Sequence, residues 1–126
     1  MTKVIATDKA PAAVGPYSQA LSVGSLVFAS GQIPLDPATG TIVGTTAAEQ
    51  AEQVFTNIEA VLREAGLAMK DVVKTTVFLT DLNAFGAVNE VYAKHFVQPF
   101  PARSCVEISA LPKGALIECE VIACRE

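Results

Sequence analysis

Tryptophan is absent from this chain, histidine occurs once, and cysteine occurs three times, at 105, 119 and 124. Three thiols cannot all pair within one chain, and together with His95 they lack the spacing of a metal site. They read as free thiols of a reducing compartment. Basic runs are missing as well: nine Lys and Arg are scattered among thirteen Asp and Glu, for a net charge of −4. That argues against the electrostatic footprint of a nucleic-acid binder. No apolar run is long enough to span a bilayer, and no signal-peptide pattern opens the sequence, so the expected location is cytoplasmic, away from membranes. Neither a G-x-x-x-x-G-K loop nor a G-x-G-x-x-G fingerprint is present, which removes the common phosphate-binding designs.

What is present suits one packed domain over 1–126. The chain has 126 residues, of which 51% are hydrophobic, enough for a core of its own. Residues 1–16 read as irregular, because Pro11, Gly15 and Pro16 interrupt any period. Tyr17 to Val23 and Leu26 to Ser30 read as strands, and Thr39-Gly40 as a hairpin turn. Thr46-Ala47-Ala48-Glu49 is a capping box, and an apolar stripe from Ala51 to Ala65 predicts a helix stopped by Gly66. Val72 to Thr80 is rich in β-branched residues and predicts a strand. Asp81 or Asn83 caps a second helix to about Phe96, with Phe85, Val88, Tyr92 and Phe96 as its buried seam. The order β-β-α-β-α-β-β predicts an α+β domain, with two helices on one face of a mixed sheet.

The stretch Phe100-Pro101-Ala102-Arg103-Ser104-Cys105-Val106-Glu107-Ile108 reads as a strand entered through a proline. Alternation puts Arg103, Cys105 and Glu107 on one face, and Ser104, Val106 and Ile108 on the other. A last strand, Leu116 to Ala123, has Ile117, Cys119, Val121 and Ala123 on one face and Glu118 and Glu120 on the other. If these two strands pair, Arg103 and Glu118 share the polar face that the helices leave uncovered. Arg103 suits a bidentate clamp for a carboxylate, or a strand-edge cation paired with Glu107 or Glu118. Glu118 suits a group that orients or deprotonates a water, kept ionised by a nearby Arg, or a solvated strand carboxylate. Cys105 reads as a pocket thiol or a small buried residue; no His–Cys nucleophile is visible, and Cys119 reads as core. Asn89 lies beside the seam of the second helix and must find polar partners. Tyr17, Ser30 and Gly31 flank the early strands and serve either a site or the structure.

Several stretches resemble, in order and along essentially the whole chain, the Rid family, also called the YjgF-type reactive-intermediate or enamine/imine deaminases. They are Ala10 to Ala20 (APAAVGPYSQA), Ser30 to Pro37 (SGQIPLDP), Asp71 to Leu79 (DVVKTTVFL), Asn89 to Tyr92 (NEVY), Phe100 to Glu107 (FPARSCVE), Leu111 to Ala115 (LPKGA), and Ile117-Glu118. Because the Arg103 position is filled, the resemblance is to the archetypal deaminase subgroup. It implies a chorismate-mutase-like fold and a homotrimer with three sites in clefts between subunits. It implies hydrolysis of the imine forms of 2-aminoacrylate and 2-aminocrotonate to 2-ketoacids and ammonia, without a cofactor. Arg103 matches the carboxylate-binding arginine and Glu118 the acid that positions water. Tyr17, Ser30, Gly31, Asn89 and Cys105 match further pocket positions. The run Phe96 to Phe100 is shorter than the loop of some relatives. The resemblance also admits a non-enzymatic trimer that binds ketoacids as a regulator, a holdase-like chaperone, or an RNA-acting protein; the acidic balance speaks against the last.

Overall fold

The structure is a computed structural model that describes residues 1–126. Its longest element, helix α1 (Ala47–Glu64), is set by its own first turn. The Thr46 Oγ1 accepts from the Glu49 amide at 3.2 Å, and the Glu49 carboxylate accepts from the Thr46 amide at 3.1 Å. One stripe of the helix, Val54, Phe55, Ile58, Val61 and Leu62, is wholly buried. Each such side chain contributes roughly 1.5–3 kcal/mol of burial free energy. Gly66, at φ 78°, ends the helix in the left-handed region.

The remaining elements are strands β1 (Thr2–Ile5), β2 (Ala20–Val23), β3 (Leu26–Gln32), β4 (Val72–Leu79), β5 (Ala102–Glu107) and β6 (Ile117–Cys124), with helix α2 (Phe85–His95) between β4 and β5. They form one six-stranded mixed sheet in the order β1-β2-β3-β6-β4-β5, antiparallel throughout except for the parallel pair β4 and β5. A crossover helix is what a parallel pair of neighbours requires, and α2 supplies it. Both helices pack on one face, so the fold is α+β in two layers, as the element order predicts.

Phe55 sits at the junction of the layers, with ring centroids 5.7 Å from Tyr92 and 5.4 Å from Phe96, both edge-on. Beneath the helices lie Val27, Ala29, Thr75, Val77, Leu79, Ile117, Cys119, Val121 and Ala123, all buried. Cys119 is thus core, and burial pushes its thiol far up.

Several expectations are corrected. Thr2–Ile5 is a strand, not part of an irregular arm: it pairs with β2 in register Thr2 to Val23. The strand expected from Tyr17 begins only at Ala20. Asp81 caps a 3₁₀ turn over Leu82–Ala84 rather than α2 itself, which starts one turn later. Phe85 lies outside the buried seam, 36% exposed, and Val91 takes a place within it.

The largest correction concerns β5. It is an edge strand, separated from β6 by β4. Its Arg103, Cys105 and Glu107 lie beside the buried Thr75, Val77 and Leu79 and therefore point to the helix side. Glu118 and Glu120 alternate with the buried residues of β6 and point to the open side. Arg103 and Glu118 thus lie on opposite faces of the sheet, two strands apart.

Candidate functional site

The first cluster forms where β5 runs under α2. Phe85, Asn89 and Tyr92 recur at four- and three-residue steps, so they share one stripe of the helix. Arg103 lies along that stripe. Its Nη1 donates to Asn89 Oδ1 at 2.7 Å, and its Cζ lies over the rings of Tyr92 at 4.7 Å and Phe85 at 5.3 Å. Cation–π contacts of this kind contribute about 0.5–1 kcal/mol at exposed sites. One of five guanidinium N–H groups is spent on Asn89, and the group itself is exposed. Arg103, Asn89 and Tyr92, together with Ala93, Phe100 and Pro101, line a cavity of about 380 Å³. Cys105 follows on the same face and is half-buried; burial pushes its thiol up more than Arg103 draws it down. His95 is engaged elsewhere, with Nε2 2.6 Å from Glu52 Oε1 and its ring against Phe55. No Cys–His pair forms.

The second cluster lies on β3, β6 and the segment before β2. Between Ala29 and Gln32, β3 carries one residue more than its partner β6, a bulge at Ser30-Gly31. The Ser30 hydroxyl donates to the Ser18 carbonyl at 2.6 Å, and its amide donates to the Gln19 carbonyl at 2.9 Å. Buried Gln19 holds the preceding loop by donating to the Pro11 carbonyl at 2.7 Å and accepting from the Thr7 amide at 2.6 Å. Tyr17, 52% exposed, accepts from the Val14 amide at 3.4 Å. Tyr17, Ser30, Gly31 and Glu118 line a cavity of about 720 Å³ that also reaches Asp36 and Lys113. Burial raises the Glu118 carboxyl above its usual range, and the neighbouring Glu120 raises it further. The expected assistance from Arg103 is missing, because that cation is on the other face.

The predicted residues therefore gather into two groups. Arg103, Asn89 and Cys105 stand together, as do Tyr17, Ser30, Gly31 and Glu118. One chain does not join the groups. Phe85, Tyr92 and Phe100 belong to the first group, although the sequence pattern marks them only as packing or punctuation. For Phe85 and Tyr92 the available signal is the helix stripe they share with Asn89; Phe100 lies outside the helix and carries none.

The open face of the sheet carries apolar side chains beside its charged ones. Val4, Leu21, Phe28 and Ile122 form one cross-strand row over four strands, and Phe78 and Val106 lie in the row of Glu118. Val4, Phe28 and Val106 are exposed.

The sequence profile of the family described as Endoribonuclease L-PSP matches residues 7–125. A RutC family protein of Pyrococcus abyssi is 54% identical over 98% of both chains. The 2-iminobutanoate/2-iminopropanoate deaminase of Salmonella typhimurium is 52% identical over 99% of both. Among solved structures, a candidate endoribonuclease of Thermotoga maritima superposes with a TM-score of 0.97 at 50% identity, covering 100% of this chain and 99% of that one.

Proposed function

This chain belongs to the endoribonuclease L-PSP family, also known as the Rid or YjgF family, and from that premise we propose that it is a deaminase of small 2-imino acids. The reaction is hydrolysis: 2-iminopropanoate or 2-iminobutanoate and one water give the 2-ketoacid and one ammonia. The observation that carries the reading is Arg103, fixed by Asn89 and two aromatic rings with donors left for a ligand at the mouth of a cavity. A planar guanidinium with its face covered offers its edge, and a carboxylate is the anion that matches that edge with two parallel hydrogen bonds. The deaminase relative at 52% identity acts, by its name, on such carboxylates. An acidic chain with no basic run is poorly matched to RNA.

The chemistry asks little of the protein. A protonated imine carbon is already electrophilic, so the residues have to hold the substrate and deliver a water. Arg103 holds the carboxylate, with Asn89 and Cys105 beside it. Glu118 orients the water, accepts its proton as the tetrahedral intermediate forms, and returns a proton to the departing nitrogen. Its raised affinity for a proton suits it to both halves of that exchange.

Since the two residues face opposite ways within one chain, the working site takes Arg103 from one copy and Glu118 from another. A closed ring of three copies, each presenting its Arg103 side to its neighbour's Glu118 side, gives three such sites and covers the apolar side chains of the open face. Tyr17, Ser30 and Gly31 then complete the pocket from the Glu118 side.

The test is a coupled assay in which threonine dehydratase releases the imine while semicarbazide traps what is not hydrolysed. The wild-type protein is expected to divert imine to 2-ketobutyrate, and Arg103→Ala is expected to match the blank. Wild-type protein that also matches the blank overturns the deaminase reading, and leaves the Arg103 cavity as a carboxylate-binding site.

A further inference from the structure

We infer that Thr75 and the Tyr92 phenol together position the Arg103 guanidinium, making Thr75 a determinant of carboxylate affinity although it lies buried in the sheet. This rests on reading Arg103 as the carboxylate clamp. Thr75 is the side-by-side neighbour of Arg103 in the parallel pair β4 and β5. Tyr92 reaches from α2 to both. Its hydroxyl lies 2.8 Å from Thr75 Oγ1 in a bond buried from solvent, and its ring lies under the guanidinium at 4.7 Å. The three residues close a triangle across two strands and a helix.

Each side of the triangle has a distinct task. Arg103 is a long, exposed side chain with one polar partner in the chain, so it loses considerable rotamer freedom when held. Phe85, on its other flank, is itself partly exposed and holds loosely. Tyr92 is the firm support: it is buried, and the rings of Phe55 and Phe96 pack it at 5.7 and 4.3 Å. Those contacts define the plane of the ring. The phenol bond to Thr75 fixes how far the ring reaches along the sheet.

A valine would fill the space of Thr75 among the branched side chains of β4, so packing alone does not ask for a hydroxyl. Without it, the phenol is left buried and unpaired, and it regains a partner only by shifting the ring. A shift of that kind under the clamp displaces the edge presented to the ligand.

The experiment measures binding of 2-ketobutyrate, the stable product, to the assembled protein by titration calorimetry, with thermal denaturation in parallel. Thr75→Val and Tyr92→Phe are each expected to weaken binding about tenfold. Thr75→Ser, which keeps the hydroxyl, is expected to bind as wild type. The double variant Thr75→Val/Tyr92→Phe is expected to be no weaker than either single variant, since both remove one bond. A merely structural role lowers the melting temperature and leaves affinity and its rescue unmoved; wild-type affinity in Tyr92→Phe and Thr75→Val, with loss in Arg103→Ala, overturns the inference. If Arg103→Ala itself binds as wild type, the clamp reading falls and this inference with it, a result distinct from any that the Thr75 variants give.

Discussion

Glu118 rests its carboxyl directly on Gly31: a Cβ at position 31 would lie 2.8 Å from both Glu118 Cδ and Glu118 Oε2. The glycine leaves room for the approach of a side chain from the next strand rather than serving a turn. Its place in the bulge of β3 brings the backbone up to the acid and limits where the carboxyl can go.

Gly31→Ala is accordingly expected to spare the fold and damage the site. The added methyl is accommodated by the Glu118 carboxyl, which must swing away. We expect imine turnover to fall by about a hundredfold, with circular dichroism like that of the wild type. Full activity in the alanine variant would show that the carboxyl position does not matter.

Arg103→Lys is expected to fail almost as completely as Arg103→Ala. Lysine keeps the charge but loses the planar fork, the contact to Asn89 at its present geometry and the stacking over Tyr92 and Phe85. A loss of about 2–4 kcal/mol in kcat/KM is expected for either, as for one partner of a hydrogen-bonded charge pair. Both should melt within a few degrees of wild type, because Arg103 is exposed. Near-normal turnover by the lysine variant would reduce the clamp to a point charge.

Mixing tests the shared site. Arg103→Ala and Glu118→Ala are each expected to be inactive alone. Unfolded together and refolded at equal amounts, they form rings in which one site in about four combines an intact Arg103 with an intact Glu118. About a quarter of wild-type activity is expected. No recovery on co-refolding, with trimers formed, would put both groups of one site in the same chain.

The acidic limb of the pH profile is expected to report Glu118, the proposed water-orienting acid. Burial first, and Glu120 second, raise its folded-state affinity for a proton. The folded protein therefore binds more protons than the unfolded chain in the window above the ordinary carboxylate range, and stability contributed here falls as pH rises through it. For the separated chain, Glu118→Gln is expected to raise the melting temperature at neutral pH, with the gain vanishing at pH below that range; in the ring, a neighbour's Arg103 opposes the shift. Glu120→Gln removes a like charge, so the acidic limb of kcat/KM should move to lower pH. A limb unmoved by Glu120→Gln would assign it to another group.

Much of the fold was legible because local signals were strong. The Thr46 and Glu49 capping pair fixed the start of α1, Gly66 fixed its end, and the branched residues from Val72 marked β4. What failed was pairing. Ala102–Glu107 looked central because it carries chemistry and an alternating pattern, yet its partner is β4 in parallel, set by the α2 crossover rather than by any residue of β5. With β4 inserted between β5 and β6, alternation alone could not give the relative faces of Arg103 and Glu118. β1 was missed because Thr2–Ile5 is short and has a single partner. The resemblance proposes the individual site positions; their division into two groups depends on strand order, which the local pattern does not carry.

That division has a consequence for how the protein works in a dilute cell. If the site is shared as proposed, a freshly made chain carries both halves of the chemistry and performs neither. Specific activity is then expected to rise steeply with abundance and to vanish on dilution below the level at which rings hold together. For an imine deaminase so built, synthesis rate becomes a sharp control.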